Sequence, residues 1–94
     1  MKDNSRVIET LLHCAKYNDP KDFTEKGRLW LKLFRRLPRK YWNRIYDFTI
    51  EDGLIDGCKY MLLFQDEYRL ADNQSVPVRN ITEAIQFIKE AYEI

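Results

Sequence analysis

"LPRKYWNRIYDFTIEDG", residues 37–53, decides the fold. On a wheel stepped at about 100° per residue, Tyr41, Trp42, Ile45, Phe48 and Thr49 gather on one side. Lys40, Asn43, Arg44, Asp47 and Glu51 share an outward stripe. That spacing predicts a helix running from Pro38 to about Asp52. Leu37-Pro38 makes the joint before it, because a proline in the first turn of a helix omits only an N–H that has no partner there. Gly53 supplies the left-handed stop.

Working outward toward the N-terminus, two more helices precede this one. The first runs from Ser5 to about Tyr17, with Val7, Ile8, Leu11, Leu12 and Ala15 on one side and Ser5 or Asn4 as its cap. Asn18-Asp19-Pro20 breaks it. The second starts after Thr24 and reaches about Arg36. It turns Leu29, Trp30, Leu33, Phe34 and Leu37 inward and Arg28, Lys32, Arg35 and Arg36 to the opposite face. Gly27 weakens its start by about 1 kcal/mol relative to alanine. Beyond Gly53, "LIDGCKYMLLF" (54–64) reads as a strand, "QDEYRLADNQS" (65–75) as a turn-rich excursion and "VPVRN" (76–80) as a short returning strand. Asn80 or Thr82 opens a last helix that gathers Ile81, Ala84, Ile85, Ile88, Ala91 and Tyr92. The order is α-α-α-β-β-α, a single α+β domain over residues 1–94.

Ninety-four residues, 45% apolar and 14% aromatic, suffice for one packed core but not for a separate catalytic domain. No apolar run reaches the roughly 18 residues of a membrane span, and Met1-Lys2-Asp3-Asn4-Ser5 leads into no signal-peptide core. A soluble cytoplasmic protein with no membrane partner is expected. Cys14 and Cys58 stand far apart in apolar settings, which suits reduced thiols. His13, the single histidine, lies off the apolar stripe of the first helix, and no C-x-x-C or H-x-x-x-H spacing offers a metal site. Neither G-x-x-x-x-G-K-[ST] nor G-x-G-x-x-G occurs. The expectation is no enzyme, no cofactor and no small-molecule substrate.

Charge is distributed unevenly. From Lys26 to Arg44 stand eight bases and no acid, whereas the rest of the chain carries eight bases against 15 acids. The formal net charge of +1 hides a dipolar molecule. Solvation alone explains charges on helix exteriors, but ordinary exteriors intersperse the two signs. A surface for a polyanion is therefore expected, made of Arg28, Lys32, Arg35, Arg36, Arg39, Lys40, Asn43 and Arg44. The cations would neutralise phosphates, and Asn43, Arg39 and Arg44 could reach base edges, asparagine toward adenine and arginine toward guanine. Asp47 and Glu51 lie on the same stripe and could pair with Arg44 at helical spacing. Of the aromatics, Trp30 and Tyr41 read as core, Trp42 and Tyr46 as residues at its border.

Three helices followed by a hairpin is the order of a winged helix-turn-helix, with the third helix as reader and the hairpin as wing. "FTIEDGLIDGCKY" (48–60) resembles the end of the recognition helix and first wing strand of many small bacterial and phage winged-helix proteins. "RNITEAIQFIKEAY" (79–92) resembles the helix after their wing. The family these stretches are most similar to is the YjcQ-like winged-helix proteins of Gram-positive bacteria and their prophages, over roughly residues 39–94. The resemblance implies a small DNA-binding regulator or accessory factor of phage or mobile-element origin that docks on double-stranded DNA. Two departures stand against it: Ala84-Ile85 occupies the place where the family usually has a glycine, and the wing segment carries Asp66, Glu67 and Asp72 against Arg69. An acidic wing repels phosphate and favours a second expectation, a phage-encoded interaction module that inhibits a host nucleic-acid machine through a protein partner, such as an acidic one. Monomer and dimer are both open.

Overall fold

The computed structural model describes residues 3–64 and 74–92. Its elements are α1 (Ser5–Cys14), a 3-10 turn (Pro20–Asp22), α2 (Glu25–Phe34), a 3-10 helix (Arg39–Arg44), β1 (Ile45–Ile50), β2 (Tyr60–Phe64), β3 (Gln74–Val78) and α3 (Ile81–Tyr92). The strands form one antiparallel sheet in the order β1-β2-β3. Its inner residues Ile45, Phe48, Leu62, Phe64 and Val78 join one core with Ile8 of α1, Leu29, Trp30, Leu33 and Phe34 of α2, and Ala84, Ile85 and Ile88 of α3. The molecule is α+β, as its sequence predicts.

The helix expected from Pro38 to Asp52 does not form. Residues 39–44 make a 3-10 helix and residues 45–50 the first strand, so the third helix of the expected order is replaced by a third strand. The helix-like spacing comes from a β-bulge. The pairing runs Ile45 with Phe64, then Asp47 with Leu63 and Phe48 with Leu62, and the register slips between Ile45 and Asp47. A bulge inserts one extra residue into a strand. Ile45 and Phe48, three apart, consequently both face the core and imitate helical spacing. The composition favours the strand, since Ile45, Tyr46, Phe48, Thr49 and Ile50 are all β-branched or aromatic.

Side chains from the helical layer hold the free edge of β1. Trp30 Nε1 of α2 donates to the Phe48 carbonyl at 3.0 Å. Asn4, 1% exposed, donates through Nδ2 to the carbonyls of Ile45 and Tyr46, both at 3.0 Å. Asn4 therefore ties the start of α1 to the bulge rather than capping its own helix; the amide of Ser5 donates instead to Asp3 Oδ1 at 2.9 Å. Pro38 precedes the 3-10 helix in an extended conformation, and Trp42 Nε1 folds back onto the Leu37 carbonyl at 2.9 Å. Trp42 is buried, not at the border, together with Trp30 and Tyr41.

Between β1 and β2 the chain turns through residues 51–59, with φ of +76° at Gly53 and +75° at Gly57. Gly53 is left-handed as expected, but it ends a strand instead of a helix, and β2 begins only at Tyr60. Asn80 Oδ1 accepts the amide of Glu83 and caps α3. Ala91, expected inside, is exposed. The acidic wing residues Asp66, Glu67 and Asp72, with Arg69, lie outside the described residues.

Candidate nucleic-acid interface

Helix α2 has two apolar sides. One faces the sheet; the other buries Leu31, which is 5% exposed yet lies apart from the main core. Leu31 lies one turn from Arg28 and from Arg35, and Lys32, beside it, lies one turn from Arg28. These four residues, with Ala15 and Phe23, line a cleft of about 200 Å³. Its floor is apolar, its rim carries three cations, and no acid lines it. The stripe from Arg28 to Arg35 is about 10 Å long at the rise of an α-helix.

Local sequence builds this cleft. Thr24 Oγ1 accepts the amide of Gly27 at 3.0 Å and fixes where α2 starts. Arg28 Nη1 donates to the Phe23 carbonyl at 2.6 Å, which draws the residue before the cap against the helix. Lys32 and Arg35 are exposed, whereas Arg28 is half-buried.

The remaining cations separate onto three elements. Arg36 reaches α3 by donating from Nη1 and Nη2 to Thr82 Oγ1 at 3.2 Å each. Arg39 forms an ion pair with Glu9 of α1 and lies 5.3 Å from the centre of the Trp42 ring. Lys40, exposed, sits 5.0 Å over Tyr41. Arg44 and Asn43 are half-buried, and the Arg44 guanidinium lies 5.2 Å over the Tyr92 ring of α3. Arg39, Asn43 and Arg44, expected to project from one α-helix, instead belong to a 3-10 helix with about three residues per turn. Asp47, expected beside Arg44 on a shared helix, is on β1 and takes Lys26 of α2 at 2.8 Å.

Besides Leu31, sequence reasoning missed Phe23 as a lining residue. Its signal was present: an apolar residue just before a Thr cap commonly packs back on the first turns of the helix. His13 is exposed, its ring 5.2 Å from that of Tyr17. Cys14 and Cys58 are free and half-buried. Among the described residues no cluster of three His, Cys, Asp or Glu could hold a metal ion, and no helix is long and apolar enough to cross a membrane. No family model, no curated protein and no solved structure matches the chain.

Proposed function

We propose that this chain is a small DNA-binding protein that grips backbone phosphates through the outward stripe of α2. The observation that carries the reading is the acid-free row Arg28, Lys32 and Arg35, two of them exposed. Helices packed against an antiparallel hairpin are compatible with a winged helix, and the YjcQ-like resemblance of residues 79–92, which form α3, points the same way, whereas residues 48–60 hold a strand end and a turn in place of a helix end. Within that reading α2 takes over the role first expected of residues 38–52. Arg36 and Lys40, both exposed, extend the positive surface beyond the end of α2; Arg39, paired with Glu9, and the half-buried Asn43 and Arg44 contribute less. Contacts of this kind recognise backbone rather than base sequence. A regulator or accessory factor of a mobile element fits such binding.

Mobility shift on random duplex DNA at low and moderate salt tests the proposal. With four to six phosphates neutralised, log affinity falls against log salt with a slope of roughly −4 to −5. Absence of binding at micromolar protein in low salt contradicts it. A protein partner is the second reading, favoured by the open groove of about 460 Å³ on α1, where Val7 stands 56% exposed beside Leu11, Cys14 and Phe23. Pull-down with and without nuclease separates the two, since a partner bridged by DNA is lost on digestion.

A further inference from the structure

The cleft beside α2 holds more than charge. Its floor of Ala15, Phe23 and Leu31 is apolar, yet Lys32 and Arg35 stand exposed at its rim. Duplex phosphates need only the rim. A polyanion that also offers a flat ring with an apolar face uses both parts, and an unpaired nucleotide is such a ligand. Proteins that hold single strands combine a positive groove for the backbone with an aromatic side chain under the base. Phe23 supplies that aromatic, and Arg28 positions it through the bond to its carbonyl. Size narrows the choice further. An apolar cavity of about 150 Å³ admits a benzene ring, so the cleft of about 200 Å³ has room for one six-membered ring.

We infer that this cleft takes one unpaired pyrimidine nucleotide, its base on Phe23, Leu31 and Ala15 and its flanking phosphates on Lys32 and Arg35. The inference rests on the nucleic-acid reading above and adds a strand preference to it. The chain binds an unpaired pyrimidine tract more tightly than a duplex of equal length, and a purine tract less tightly than a pyrimidine tract.

Fluorescence polarisation on the full chain tests this with oligothymidylate, oligodeoxyadenylate and a random duplex, each of about 12 nucleotides per strand, in low salt. Oligothymidylate is expected to bind tightest. Phe23→Ala lowers its affinity about tenfold, the scale of one lost stacking contact, and leaves the duplex within about twofold. Ala15→Leu fills the floor while leaving Phe23 and all three cations unsubstituted and gives the same pattern; circular dichroism confirms that both variants fold. Equal or tighter binding of the duplex overturns the inference, as does an equal loss on both ligands. Competition by a polyglutamate peptide as effective as oligothymidylate also overturns it, because charge alone then fills the cleft. If neither oligothymidylate nor duplex binds, the parent reading fails, a result distinct from duplex binding without strand preference.

Discussion

Asn4 is the residue on which the N-terminal helix and the sheet both depend. Its buried amide is the partner of two strand carbonyls, and a buried acceptor left bare costs about 1–3 kcal/mol. Asn4→Ala therefore destabilises by about 2–4 kcal/mol, read as a lower urea midpoint with an unchanged slope. Thr49 carries the opposite expectation. Its Oγ1 is buried with no hydrogen-bond partner among the described residues, so Thr49→Val removes a stranded hydroxyl and stabilises by up to about 1 kcal/mol in the same assay. At Asp3 the Ser5 hydroxyl and amide hold the carboxylate below its ordinary pKa of 3.8. A depressed carboxylate pKa contributes above the unfolded value, and the contribution is lost as pH falls through the lower folded value. NMR titration of the Asp3 carboxyl should show that depression, and Ser5→Ala should shrink it.

At the scale of elements, α2 does two things with one sequence. Its inner side covers the edge of β1, where Trp30 closes an otherwise open carbonyl. Trp30→Phe keeps most of the apolar contact and loses the bond, so about 1–2 kcal/mol of stability goes with it in thermal or urea unfolding. Edge strands left bare template association, and the same variant is expected to raise light scattering on heating. Much of this helix was legible: Thr24 as cap, the inward set from Leu29 to Leu37, and the cationic stripe all follow from composition and period. Residues 38–52 were not, because a wheel detects spacing and cannot see a bulge that places Ile45 and Phe48 on one face of a strand. The β-branched and aromatic density of 45–50 was the competing signal. For the cleft, the cations were legible and the floor was not. Leu31 sits amid the polar stripe, and period alone does not show that Phe23 and Ala15 line a cleft with it.

For the molecule as a whole, sequence exposes the segregation of charge, but only the fold shows where each cation goes. Arg36, Arg39 and Arg44 turn toward Thr82, Glu9 and Tyr92 on neighbouring helices, leaving the side of α2 as the most coherent row. The most direct measurement is the salt dependence of DNA affinity for the chain and for the double variant Lys32→Glu, Arg35→Glu, with unfolding followed in parallel. Both side chains are exposed, so stability should stay within about 0.5 kcal/mol per site. The unaltered chain should bind tightly in low salt, and the variant should show affinity at least about tenfold weaker and a salt slope shallower by about 2. Unchanged affinity and slope in a folded variant would contradict phosphate binding through α2.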